Sequence, residues 1–302
     1  MNKIPLEATL VGAYRFLFTN IVSIIGIIWF PTVLVLGLIA GLLCLIVPHE
    51  WWAGDFSQLK DQHVAVGMIG KFVLAYSVVA LAGIIAGSMI LVGLMRQALG
   101  LKKTTTFIYF SLGAPVWRMI GAMLLGGIIF AVCICVIAVA GGLAAAFIGP
   151  MLPHGAVVAG RAILLIVFYL FIFYAAFRLF FFLPAVVVAE ERIGLGRSWE
   201  LGGGNFWRMF LVYLLIVIPA GFVFAVALDV TILSGLMEIV TEAKKMPDHP
   251  APKDVLVLLH SLLPLLPVVV GIAIVYGIAV RGLMIGAIAN AYNAVAGTAA
   301  KE

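Results

Sequence analysis

Residues 178–209 read RLFFFLPAVVVAEERIGLGRSWELGGGNFWRM. This stretch leaves one long apolar segment, turns through a compact charged loop, and enters another apolar segment at Asn205, Phe206, Trp207 and Arg208. The loop concentrates Arg, Glu, Gly and Trp residues between two runs that are apolar enough for a membrane. We therefore expect a membrane protein whose functional surface lies on the side where this loop emerges.

The composition supports a membrane protein with little mass outside the bilayer. The chain has 302 residues, of which 65% are hydrophobic and 10% are charged, whereas soluble domains carry roughly 25% charged residues. The net charge is +5. We expect the basic residues to set the membrane topology and to contact lipid headgroups, and we expect no nucleic-acid partner. Cys44, Cys133 and Cys135 lie inside apolar runs and are expected to be small core residues.

Six apolar segments are each long enough to cross a hydrocarbon core of about 30 Å. They lie near residues 21–47, 72–95, 119–149, 162–189, 209–233 and 255–280. Residues 4–20 predict an interfacial helix before the first span, with a frayed tail as the alternative. Pro31, Pro184 and Pro219 are expected kink sites. The predicted fold is an all-α polytopic membrane helix bundle, with residues 1–302 forming one membrane domain.

The distribution of Lys and Arg predicts the orientation. These residues are more numerous at the two termini and in the loops after the second and fourth spans than in the other loops. The positive-inside rule then places both termini in the cytoplasm. Glu7 and Arg15 precede a long apolar run, which argues against a cleaved signal peptide.

Similar sequences enter the third and fifth spans and leave the second and sixth. Residues 114–119 (APVWRM) resemble residues 204–209 (GNFWRM), and residues 92–96 (VGLMR) resemble residues 280–284 (VRGLM). We interpret them as three helical hairpins in parallel, each preceded by a short interfacial helix; chance similarity among apolar segments is the alternative. Close helix packing is expected at three glycine pairs. These are Gly37/Gly41, Gly83/Gly87 and Gly282/Gly286.

Signatures of catalysis are absent from the sequence. Gly194, Gly196 and the glycines at 202–204 lack the Gly-Lys-Ser/Thr of a phosphate-binding loop. The three glycines at 202–204 more plausibly end a short helix and let the chain turn towards Asn205. No carboxylate or histidine falls at mid-depth in a span, which counts against an ion-coupled transporter. The five histidines lie in or near the loops predicted on the outer side, where a metal or pH-sensing site competes with ordinary loop residues. They are His49, His63, His154, His249 and His260. No cofactor is expected.

Arg178 falls close to the cytoplasmic edge of the fourth span. It either snorkels to the interface or pairs with Glu190 or Glu191. The pairing would require residues 179–189 to fold back on the bundle, with Pro184 redirecting the chain. Residues 193–201 place their large apolar side chains on different helical faces, so we expect a bent re-entrant or interfacial connector there.

The order of residues in this stretch resembles a known family. Arg178, a Phe-rich run, Pro184 and Glu190 are followed by the pattern R-S-W-x-L-x-x-G-x-F-W-R at residues 197–208. The pattern is similar to the membrane domain of bacterial glycerophosphodiester phosphodiesterases and of related stand-alone inner-membrane proteins. The resemblance is close over roughly residues 175–215 and implies a multi-pass protein of the bacterial inner membrane. It implies no chemistry, because the chain contains no soluble catalytic domain.

Three function classes remain from the sequence. The first is a non-enzymatic protein of lipid or envelope homeostasis, whose partners are anionic headgroups on the cytoplasmic side or a membrane protein. The second is a transporter or permease with a path between hairpins, and the third is a membrane-embedded enzyme. The candidate lipid or partner surface consists of Arg178, Glu190, Arg192, Arg197, Trp199, Trp207 and Arg208.

Overall fold

The computed structural model describes residues 2–48, 62–101, 107–147, 154–243 and 265–297. Regular structure within these ranges is helical. The helices are α1 (Leu6–Ile46), α2 (Gln62–Ala98), α3 (Ala114–Phe147), α4 (His154–Phe180), α5 (Leu183–Ala189), α6 (Leu195–Leu201), α7 (Phe206–Ala243) and α8 (Leu266–Ala296).

Six of the helices in the described ranges are long and apolar enough to cross a membrane, as predicted. The candidate spans are Leu6–Ile46, Val66–Ala98, Ala114–Leu143, Ala162–Ala189, Phe206–Thr231 and Leu266–Ala296. The first and last depart furthest from the predicted boundaries.

Helix α1 consists of two helical segments that meet at a kink, and this kink lies where the predicted interfacial helix ends and the predicted first span begins. Asn20 is its bend, with φ −120° and ψ 15°, and the Asn20 side-chain amide donates to the carbonyl oxygen of Phe16 at 3.1 Å. Because this side chain satisfies a carbonyl of the preceding turn, the helix bends without ending. Pro31 lies within the same helix.

The helix that contains the predicted sixth span extends beyond its predicted end at residue 280. Helix α8 continues to Ala296, and its extension is largely buried between Gly282 and Tyr292. Arg281 does not end the helix, because its own side chain is exposed while the residues after it face the core. The first part of the prediction, residues 255–264, lies outside the described residues.

The buried core lies at one end of the bundle. It is formed by the end of α2 and the start of α3, by α5 and α6, by the start of α7, by the first half of α1 and by the last part of α8. The other halves of the six long helices expose large apolar side chains. Such surfaces are stable in lipid tails, which are as apolar as the side chains themselves. Cys44 and Cys135 are exposed on these halves, so the prediction that they are core residues is wrong.

Among the described residues, glycines allow close helix contacts at the buried end. A Cβ at Gly282 would lie 2.7 Å from Leu17 Cδ1, and one at Gly286 would lie 3.0 Å from Ala13 Cα, so α8 approaches α1 closely. The prediction of tight packing is therefore confirmed for this pair. It is wrong within the described chain for the other two pairs, where a Cβ would meet nothing within 4 Å. Those pairs, Gly37/Gly41 and Gly83/Gly87, lie in the apolar halves.

Candidate functional site

The connector, residues 181–205, links α4 to α7 and folds back onto the bundle. Helix α4 ends at Phe180, and α5 begins three residues later, at Leu183. Pro184 lies in the first turn of α5, where its missing N–H costs no hydrogen bond. Residues 183–188 are buried, and α5 packs against α2 and α3. The prediction that this stretch packs on the bundle is confirmed, and the break between α4 and α5 lies at residues 181–182, just before Pro184.

Glu190 organises the charged cluster that follows α5. Its carboxylate accepts hydrogen bonds from Arg192 Nε at 2.9 Å, Arg197 Nε at 3.3 Å and the Tyr292 hydroxyl at 3.1 Å. Burial raises the pKa of Glu190, but the hydrogen bonds from Arg192, Arg197 and Tyr292 outweigh it and hold the pKa below its ordinary value. The cluster therefore ties the connector to α8 while keeping a negative charge on Glu190.

Glu191 makes the turn after this cluster. Its φ of 51° is a left-handed value that a non-glycine residue rarely adopts. Its carboxylate lies 3.5 Å from Arg118 Nη1, and both side chains are solvent-accessible. An exposed pair of this kind contributes little stability, about 1 kcal/mol at most.

The expected pairing of Arg178 with Glu190 or Glu191 is wrong. The Arg178 guanidinium donates instead to the Trp199 carbonyl at 2.9 Å and to the Tyr174 hydroxyl at 2.8 Å. It also lies 4.0 Å from the centre of the Trp199 ring, a cation–π distance. Arg178 therefore joins α4 to α6, while Glu190 is already occupied by two other arginines.

Residues 195–201 form a regular helix, so the expectation of a bent connector is wrong there. Leu195, Ser198 and Leu201 are buried at three-residue spacing, and α6 packs on α4 and α5. Gly194 precedes this helix and fits closely, because a Cβ there would lie 2.1 Å from Val186 Cγ1. Gly204, with a φ of 70°, lets the chain turn into α7, which confirms the predicted role of the glycines at 202–204.

Asn205 and Arg208 hold the N-terminal segment, a role that the sequence did not indicate. Asn205 Oδ1 accepts from the Ile4 amide at 3.1 Å, and Asn205 Nδ2 donates to the Asn2 carbonyl at 3.2 Å. Arg208 donates to the Ile4 carbonyl at 2.7 Å. The Ile4 side chain is fully buried. These contacts join residues about two hundred positions apart, which local patterns cannot reveal.

The start of α7 repeats the start of α3. Trp117 and Trp207 are 55% and 75% exposed, while Met119 and Met209 are buried. The two similar sequences therefore place their side chains alike, with the tryptophan exposed and the methionine buried in each helix. Both tryptophans lie beside the charged connector end of the bundle.

The connector end is rich in basic side chains. The described Lys and Arg residues there are Lys3, Arg15, Arg96, Arg118, Arg178, Arg192, Arg197, Arg208 and Arg281, against Glu7, Glu190, Glu191 and Glu200. Arg192 is the most accessible arginine of the charged cluster, with a side chain 59% exposed. No group of three or more His, Cys, Asp and Glu side chains able to hold a metal occurs among the described residues. The five histidine side chains lie outside that description.

Comparison with known proteins identifies one family. The model of the membrane domain of glycerophosphoryl diester phosphodiesterase matches residues 157–285. The match confirms the resemblance read from the sequence and extends it from α4 through the connector into α8. Searches among curated proteins and among solved structures found no match.

Proposed function

We propose that this integral membrane protein binds anionic phospholipid headgroups at its connector end and serves lipid or envelope homeostasis without catalysing a reaction. The family match and the six apolar helices support a membrane location. The proposal places the protein in the bacterial inner membrane, with its termini and connector in the cytoplasm. A membrane protein that docks on the same surface is the alternative partner.

The observation that carries the proposal is the exposure of Arg192, on a connector that is itself fixed, and of Trp207, in the first turn of α7. An arginine near an anionic membrane surface gains about 1 kcal/mol, and tryptophan rings favour headgroup depth. Glu190 restrains Arg192 on one side through its carboxylate. The remaining donors of the exposed guanidinium can therefore reach a phosphate without a large loss of side-chain freedom.

The other candidate residues make contacts within the protein that hold this surface in place. Arg178 is stacked on Trp199, Arg197 bonds to Glu190, and Arg208 bonds to the Ile4 carbonyl. Each of these arginines is held by contacts within the protein. We therefore assign them to positioning the connector and assign headgroup contact to Arg192, Trp207 and Trp117.

The test is a titration of the detergent-solubilised protein with dioctanoyl phosphatidylglycerol, followed by calorimetry. Arg192→Ala should weaken binding about five-fold, the equivalent of about 1 kcal/mol. Trp207→Leu should weaken it further in the double variant. Dioctanoyl phosphatidylcholine should bind the wild type more weakly than phosphatidylglycerol.

Lys71→Ala provides the matched control, because Lys71 is an exposed cation on α2 at the other end of the bundle. It should leave the affinity for phosphatidylglycerol unchanged. Equal binding of the two lipids, or equal losses in Arg192→Ala and Lys71→Ala, would contradict the proposal.

A further inference from the structure

A groove of about 340 Å³ lies between α1 and α2. One wall carries residues of α1 at helical spacing, the other carries residues of α2, and a single aromatic ring comes from the segment before α3. The lining residues are Pro31, Leu34, Val35, Leu38, Ala82, Ile85, Ala86, Met89 and Phe110. Both walls belong to candidate membrane spans.

Aromatic side chains lie at the end of the groove nearer the connector. Trp29 Nε1 donates to the Phe107 carbonyl at 2.6 Å, which fixes the segment before α3 against α1. The Phe110 ring packs edge-on against Phe30 with a centroid distance of 6.3 Å. These contacts hold Phe110 over the groove, so the cavity is built by the fold and is more than a gap between two helices.

The dimensions of the groove identify the kind of occupant. From Pro31 to Leu38 the wall extends roughly 10 Å along α1, at 1.5 Å per residue. The groove therefore follows α1 for only about two helical turns. A spanning helix of a partner or of a second copy would pack along most of a hydrocarbon core of about 30 Å, whereas part of a fatty acyl chain can occupy a groove of this length.

The chemistry of the lining agrees with these dimensions. Each lining side chain is apolar, so a polar solute would lose its hydration without a hydrogen bond in return. Lipid tails are the surrounding solvent at this level of a span. We infer that the groove between α1 and α2 is a binding site for one fatty acyl chain of a membrane lipid, with the chain end nearer the headgroup held against Phe110.

The site is tested by photolabelling the reconstituted wild type with a phosphatidylcholine that carries a diazirine in one acyl chain. The neutral headgroup keeps this experiment separate from the proposal on anionic headgroups. Peptides containing residues 31–38 and 82–89 should be labelled several-fold more than the exposed residues 163–173 of α4. Ala82→Leu/Ala86→Leu fills the groove and should reduce labelling of the two walls at least five-fold.

Ala40→Leu is the matched control, because it adds the same side chain at an exposed position of α1 outside the lining. It should keep the wild-type labelling. If the double variant does not fold, Ala86→Val is the smaller filling and should lower labelling in the same direction. Equal labelling of the groove and of α4, or labelling that the filling leaves unchanged, would overturn the inference. A wild-type dimer that becomes monomeric on filling would place a second copy in the groove and would also overturn it.

Discussion

Replacement of Arg178 by alanine tests how α4 is fastened to α6. The substitution removes the hydrogen bond to the Trp199 carbonyl and the contact of the guanidinium with the Trp199 ring. A hydrogen bond from a charged donor contributes about 1.5–3 kcal/mol, and a cation–π contact contributes about 0.5–2 kcal/mol. Because Arg178 Nε is buried without a hydrogen-bond partner among the residues that the structure describes, part of this stabilisation is offset. We expect Arg178→Ala to lower the free energy of unfolding by about 3 kcal/mol.

Thermal unfolding in detergent measures this loss. The midpoint for Arg178→Ala should fall by roughly 5–10 °C. The midpoint for Arg178→Lys should lie between those of the wild type and Arg178→Ala. Lysine keeps the positive charge but cannot stack as a planar guanidinium does. Arg192→Ala is the control on the same connector, and its exposed ion pair should cost about 1 kcal/mol or less.

Two results would refute this reasoning about Arg178. One is a midpoint for Arg178→Ala within the shift seen for Arg192→Ala. The other is a large loss in Arg178→Ala that Trp199→Ala does not diminish in the double variant, since partners in contact must show a coupling energy.

Three further predictions concern packing, pH and topology. Gly286→Val should destabilise the protein by about 1–3 kcal/mol, because α1 leaves no room for the side chain, while Gly41→Val should have little effect; equal melting of the two variants would contradict the packing described. Since the folded pKa of Glu190 is lowered, its ionised form stabilises the protein above the ordinary pKa, and this stability is lost as the pH falls through the lowered value. Glu190→Gln should therefore have a lower melting temperature than the wild type at pH 7. This difference in melting temperature should become smaller below about pH 4.5, and a difference that does not change with pH would refute the reasoning. Ile193→Cys in a cysteine-free background should react with an impermeant maleimide only after cells are opened, and labelling of intact cells would reverse the topology.

The sequence predicted the features that depend on local composition. Six spans follow from apolar length, and the fold-back of α5 follows from Pro184 and an apolar stretch that could not stand free in water. The turn at Gly204 could likewise be predicted from the sequence, because glycine tolerates a positive φ. Each of these features is decided within about thirty residues.

The features that the sequence missed depend on contacts between distant residues. A carboxylate is the usual partner for an arginine in a membrane protein, but Arg178 meets Trp199 because α6 returns beside α4. The link between Ile4 and Asn205 requires the arrangement of the whole buried end. The glycine pairs were indistinguishable in sequence, since only the packing of α1 against α8 separates Gly286 from Gly41.

The most direct test of the proposed function is native mass spectrometry of the protein extracted gently from the membrane. The wild type should retain an anionic phospholipid, and the double variant Arg192→Ala/Trp207→Leu should lose it while Lys71→Ala keeps it. A wild type that carries no anionic lipid, or a lipid that persists in the double variant, would contradict headgroup binding at the connector.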